Sequence, residues 1–131
     1  MNPEELLYAK THEWVAIEET ADGKTATVGI SAFAVEALTD LVFMELPKVG
    51  ATVEPEQSFC EVESVKAVSD IYAPVAGEVT AVNEGLPDTL EVLGEDPYEQ
   101  GWIAKIKMTG DKPDTLLDHA AYEKLCAEEA G

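Results

Sequence analysis

Glu63-Ser64-Val65-Lys66-Ala67 is the stretch whose reading decides the fold. It sets one lysine between two short runs of strand character, Phe59–Glu63 and Val68–Ala73, and the gap has room only for a hairpin turn. A lysine at such a tip carries its amine on a flexible stem into solvent, away from any cleft that could use it catalytically. Lys66 is then either surface decoration, as most lysines are, or a substrate for covalent modification. The spacing alone leaves both open.

Outward from the hairpin, short apolar runs and turn signals alternate along the chain. Thr11–Glu19 reads as a strand with Trp14 as its core anchor, Ala21-Asp22-Gly23-Lys24 as a turn, and Thr25–Ile30 as the next strand. Ser31 caps a short helix ending at Leu38, with Phe33 and Ala37 on its inner face. Asp40–Leu46 is an apolar strand stopped by Pro47. Beyond the hairpin, Glu78–Val82 is a strand and residues 86–101 are loop with one helical turn. Gly101–Met108 is the last strand, with Trp102, Ala104 and Ile106 on one face. A helical tail starts at Pro113-Asp114, with Leu117, Ala121 and Leu125 on one stripe. The pattern predicts one domain over residues 1–131, its core at about 12–108 and its tail at about 113–129. A sandwich or barrel with helical caps fits it. A short echo relates Pro47-Lys48-Val49-Gly50-Ala51-Thr52-Val53 to Pro74-Val75-Ala76-Gly77-Glu78-Val79, as a two-fold quasi-symmetric sandwich would require.

Composition narrows the function. The 131 residues include 27 acids, eight lysines and no arginine, for a net charge of −19. Such a chain lacks the clustered cations that phosphate backbones need, so nucleic acid is excluded as a partner, and an anionic membrane would repel it. The charge serves either solubility or steering toward basic docking surfaces on partner proteins. No apolar run approaches a membrane span, and Met1–Glu5 is unlike a targeting segment, which predicts a cytoplasmic protein. Cys60 and Cys126 stand far apart without metal-ligand spacing and read as buried structural thiols. His12 and His119 sit in unrelated contexts, and His12 beside Glu13 is either a base–orienter pair or a structural histidine flanking a core tryptophan. No nucleophile elbow, phosphate loop or HExxH motif is present. Glu61 and Glu63 share a strand face, where a solvated edge is the simpler reading than acid–base work. The expectation is a protein without a catalytic centre of its own.

Glu63-Ser64-Val65-Lys66-Ala67, followed by Ser69–Pro74 and Gly77-Glu78-Val79, resembles the lipoyl-attachment segment of the glycine cleavage H-protein family. Tyr8–Val15, Val42–Pro47, Pro97-Tyr98, Gly101-Trp102 and Lys105-Ile106-Lys107 resemble further ordered motifs of that family, so the likeness spans nearly the whole chain. It implies a lipoyl/biotinyl-type β-sandwich, a flattened-barrel hybrid, with a short internal helix and a C-terminal helix. It also implies lipoic acid joined to Lys66 by an amide, one per chain. The implied role is a monomeric shuttle that carries an aminomethyl group from a pyridoxal-phosphate glycine decarboxylase to a tetrahydrofolate-dependent aminomethyltransferase. Dihydrolipoamide dehydrogenase then reoxidises the arm. Glu63 and Gly77 match positions used in recognition by the lipoylating enzymes, although a turn needing positive φ also accounts for Gly77. Thr11, Glu13 and Asp70 match residues that shelter the loaded arm; without the resemblance, Glu13 and Asp70 read as exposed strand carboxylates. The chain departs from the family's pattern at Ala32, at Thr39 and in the loop Leu86–Glu95. A biotinyl carrier would place methionines where Val65 and Ala67 stand. A relay that stores lipoyl groups for other enzymes is the remaining alternative.

Overall fold

The computed structural model describes residues 3–21, 23–38, 41–65, 67–110 and 116–130. Asp22, Thr39, Asp40, Pro113 and Asp114 lie outside them, and so does Lys66. The strands, in chain order, are β1 (Leu7–Tyr8), β2 (Glu13–Thr20), β3 (Gly23–Ile30), β4 (Leu41–Glu45), β5 (Thr52–Val53), β6 (Ser58–Ser64), β7 (Val68–Tyr72), β8 (Gly77–Val82) and β9 (Ala104–Met108). The helices are α1 (Ala32–Leu38), α2 (Glu91–Glu95) and α3 (His119–Ala130). One sheet runs β1-β2-β3-β9-β8-β5 and the other β4-β6-β7, all pairings antiparallel. They remain two sheets and do not close into a barrel.

Period-two burial explains the sandwich. In β9 every second residue is buried, Ala104, Ile106 and Met108, while Lys105 and Lys107 face solvent. Val15, Val28, Val79 and Ile106 of the larger sheet join Met44, Val62 and Ile71 of the smaller in one core. At about 25 cal/mol per Å² of apolar surface removed from water, burying each of these side chains stabilises by roughly 1.5–3 kcal/mol. β2 is buried on both faces at its start: Val15 enters this core, and Trp14 enters a second cluster with Leu6, Tyr8 and Tyr122. Trp14 lies over Gly29, its register partner, where a Cβ would sit 2.5 Å from the indole. Its Nε1–H donates to the Pro97 carbonyl at 2.9 Å.

The predicted elements are present, with several corrections. β2 begins at Glu13, not Thr11, because residues 9–13 form a tight turn: the His12 N–H donates to the Ala9 carbonyl and His12 takes a φ of 78°. Ser31 does cap α1, its Oγ accepting the Ala34 N–H at 3.2 Å. The inner face of α1, however, is Ala34, Val35 and Leu38; Ala37 is exposed and Phe33 packs on the His12 ring. Trp102 does not share the face of Ala104 and Ile106. Regular alternation starts only at Ala104; Ile103 is buried in the main core and Trp102 joins the second cluster. Leu117 precedes the C-terminal helix and bridges to Tyr8, so the stripe that packs is Tyr122, Leu125 and Cys126, while Ala121 is exposed. Cys126 is only half-buried, and both cysteines are free thiols. Strands β1 and β5 had no separate sequence signal. β5 nonetheless explains the echo: Thr52 pairs with Glu78 and Val53 with Gly77, so the two similar segments face each other.

Candidate functional site

β6 and β7 form the predicted hairpin. Their ladder runs from Ser58↔Tyr72 to Glu63↔Val68, and the turn is closed by Ser64. The Ser64 N–H donates to the Ala67 carbonyl at 2.8 Å, and its Oγ accepts the Ala67 N–H at 3.1 Å. Only Val65 and Lys66 connect the two closing residues in sequence. Val65 is exposed.

β7 is an edge strand, and a cleft of about 550 Å³ opens along it. Thr11 and Glu13 from the turn into β2, Ala34 and Leu38 from α1, and Val68, Asp70 and Tyr72 from β7 line it. The structure therefore brings Thr11, Glu13 and Asp70 together, although Glu13 and Asp70 are 57 positions apart in the chain. Five residue steps at about 3.3 Å put Tyr72 roughly 17 Å along the strand from Ala67.

Glu13 is the unusual member. It is not an exposed strand carboxylate, as its sequence context suggested, but is 1 % exposed. The Thr11 hydroxyl donates to its Oε1, and the Tyr72 N–H, on the outward edge of β7, donates to its Oε2 at 3.2 Å. Burial pushes its carboxyl up to about 7, against the opposing pull of these donors. A carboxylate in this setting has two neutral donors and room beside it, which suits a small cation. Asp70 is exposed at the cleft's lip.

His12 does not serve Glu13. Its Nδ1 hydrogen-bonds the Tyr122 hydroxyl at 2.8 Å, and its Nε2 lies 2.8 Å from Glu129 Oε2. Tyr122 also hydrogen-bonds Ser31 Oγ and stacks on Tyr8, with ring centroids 4.2 Å apart. The histidine thus ties α3 to the turn that carries Thr11 and Glu13. The sequence reading missed Tyr122 in this role; the signal available was its spacing three and four residues before Leu125 and Cys126, which puts it on the packing stripe.

Glu63 and Gly77 are not brought together. Glu63 is half-buried on β6 beside the turn, whereas Gly77 opens β8 in the other sheet. Gly77 lies in a strand and not in a turn, pairing with Val53 and Met108, but its φ of 159° is positive as expected. Glycine is needed there for space, since a Cβ would lie 2.1 Å from the Lys107 carbonyl oxygen. Elsewhere, the loop Leu86–Glu95 holds a 3₁₀ turn (Leu86–Asp88) and α2, with Leu86, Leu90 and Leu93 buried in the main core. Among the described residues, no helix is long and apolar enough to cross a membrane, and no group of three His, Cys, Asp or Glu is placed to hold a metal.

Comparison with known proteins agrees along the length of the chain. A family model described as Glycine cleavage H-protein matches residues 6–129. A Glycine cleavage system H protein from Rhodopirellula baltica is 58% identical over 127 residues, covering 97% of this chain and 96% of the relative. One from Klebsiella pneumoniae is 53% identical over 128 residues, covering 97% of each. The crystal structure of a glycine cleavage system H protein from Mycobacterium marinum superposes with a TM-score of 0.82 at 34% identity, covering 99% of this chain and 100% of that one. A hairpin-bearing sandwich of this topology, matched from end to end by such relatives, leaves one conclusion: the chain belongs to the glycine cleavage H-protein family.

Proposed function

We propose that the chain is the lipoyl-carrying shuttle of a glycine cleavage system, with lipoic acid bound covalently at Lys66. Its partners in this reading are glycine decarboxylase, aminomethyltransferase, dihydrolipoamide dehydrogenase and the lipoylating enzymes. Catalysis belongs to them; the chain is a monomeric cytoplasmic carrier. The observation that carries the reading is the cleft along β7, which starts beside the hairpin and contains the buried carboxylate of Glu13. The lipoyl group supplies a disulfide that takes up and releases the one-carbon cargo.

The chain's own residues do the rest. The hairpin closed by Ser64 and Ala67 carries the attachment point, which keeps the arm at a high effective concentration for whichever enzyme is docked. Val68, Ala34 and Leu38 give the cleft an apolar wall suited to an alkyl arm. Thr11, Glu13 and Asp70 supply a hydroxyl and two carboxylates for the cargo's ammonium. Glu13 is held near 7 while alone, and a cation beside it favours the ionised form, so it charges as the cargo arrives. Glu63, next to the turn, and Gly77 serve recognition by the lipoylating enzymes, Gly77 through the packing of β8 on β9.

Co-expression with a lipoate ligase, followed by intact-mass and peptide mapping, tests the attachment. One lipoyl adduct on Lys66, absent in Lys66→Arg, is expected; an unmodified Lys66 contradicts the reading. The lipoylated chain is then expected to support glycine decarboxylation by glycine decarboxylase. A lipoylated chain that fails there but donates its lipoyl group to other acceptors is the relay instead.

A further inference from the structure

His12 stands between Thr11 and Glu13, and its φ of 78° is in a backbone region uncommon for residues with a Cβ. Distant segments hold it there. Phe33 of α1 packs on its ring, with centroids 4.9 Å apart, and α3 reaches both ring nitrogens, Tyr122 at Nδ1 and Glu129 at Nε2. The contacts close as one directed chain of hydrogen bonds. The Nε2–H donates to the Glu129 carboxylate, Nδ1 accepts the Tyr122 O–H, Tyr122 accepts the Ser31 O–H, and Ser31 Oγ accepts the Ala34 N–H. Glu129 is the terminal acceptor of that chain.

Nothing about α3 itself asks for a carboxylate at this position. The last turn of a helix disfavours negative charge, and this one holds Glu128 and Glu129 with no basic residue. An ion pair with one partner 46% exposed also adds little stability. What the position does provide is reach: among the described residues, Glu129 is the one residue of α3 that lines the cleft. The cleft's base depends on that reach. Glu13 takes one hydrogen bond from Thr11 of its own turn and one from the Tyr72 N–H of β7, so both are kept only while the turn is fixed against β7.

We infer that Glu129 is a positioning residue of the arm cleft: through His12 it fixes the turn that presents Thr11 and Glu13 to the cargo. Its bearing on the cargo rests on the carrier reading, but the first test needs no lipoate. In the unmodified chain, hydrogen exchange at the Tyr72 amide, followed by NMR, reports where Glu13 sits, because Glu13 Oε2 accepts that N–H. Glu129→Ala is expected to speed this exchange about fivefold. The Val79 amide, bonded to the Ala51 carbonyl in the other sheet, is expected to keep its rate. Glu129→Gln, whose amide oxygen still accepts from Nε2–H, is expected to stay within about twofold of the parent. His12→Asn, which tolerates positive φ but lacks the ring, is expected to match Glu129→Ala. Glu128→Ala, exposed on the same turn of α3, is expected to stay within about twofold. In the loaded, lipoylated protein, Glu129→Ala and His12→Asn are expected to shorten the cargo's lifetime about threefold, and Glu129→Gln to restore it. Unchanged Tyr72 exchange in Glu129→Ala, a Gln variant as fast as the Ala variant, or an equal effect in Glu128→Ala overturns the inference. So does faster exchange with an unshortened lifetime. Failure of Lys66 to take lipoate removes the carrier reading, and the Tyr72 exchange rates then decide the positioning role alone.

Discussion

Glu13 and Asp70 line the same cleft and carry the same charge, yet they stand in opposite environments. Glu13 is walled in by the turn from β1 to β2 and by the edge of β7; Asp70 is at the lip in water. The difference teaches that the cleft has a fixed base and an open rim. A buried carboxylate is expensive unless something compensates it, whereas an exposed one costs nothing and steers. The pair Gly77 and Glu63 shows the same contrast: one is locked between neighbouring strands, the other is reachable beside the turn.

The strongest way to break this contrast is at Gly77. Gly77→Ala drives a methyl group into the Lys107 carbonyl and is expected to cost about 3 kcal/mol, read as a lowered urea midpoint. Glu63→Gln is expected to stay within about 0.5 kcal/mol of the parent while slowing lipoylation. Equal stability of the two variants would show that Gly77 is not packed as described.

The next effect is the pH dependence at Glu13. Its carboxyl is raised by burial to about 7, so the folded state binds a proton that the unfolded chain releases near 4.5. Its contribution to stability is therefore fully present below about 4.5 and is lost as pH rises through about 7, on the order of 2–3 kcal/mol. Denaturation at pH 5 and pH 8 is expected to show this loss in the parent and in Asp70→Asn, but not in Glu13→Gln. A parent and Glu13→Gln that keep a constant stability difference across that range would contradict the buried base.

A smaller effect is expected at the link between α3 and the turn. Tyr122→Phe removes a hydroxyl shared by His12 and Ser31 and is expected to cost about 1–2 kcal/mol, seen by thermal unfolding. His12→Ala should behave similarly, and the two together should cost less than their sum, because they share one hydrogen bond.

Much of this was legible in the chain. Alternation in Ala104–Met108 and around Lys66, with Gly and Pro between runs, carried the sandwich, because a half-buried strand imposes a period of two. The misreadings share one cause. Thr11, Trp102 and Leu117 sit just outside regular elements, where the period breaks and contacts from distant segments decide which way a side chain turns. Thr11, Glu13 and Asp70 entered through family likeness. Nothing local in Thr11–Trp14 distinguishes a buried glutamate from an exposed one, since its burial comes from Tyr72 and the edge of β7. The distant partner of Glu13 is the Tyr72 backbone N–H, which no side-chain pattern encodes.

The central claim is that the cleft's buried base, more than its rim, shelters the loaded arm. Release of formaldehyde and ammonia from the loaded, lipoylated protein at pH 7.5 (about half a unit above the value at which Glu13 titrates) measures it directly. Glu13→Gln is expected to shorten the lifetime of the cargo about tenfold, and Asp70→Asn about twofold, with lipoylation of both complete. Lifetimes equal to the parent's in Glu13→Gln would contradict the account.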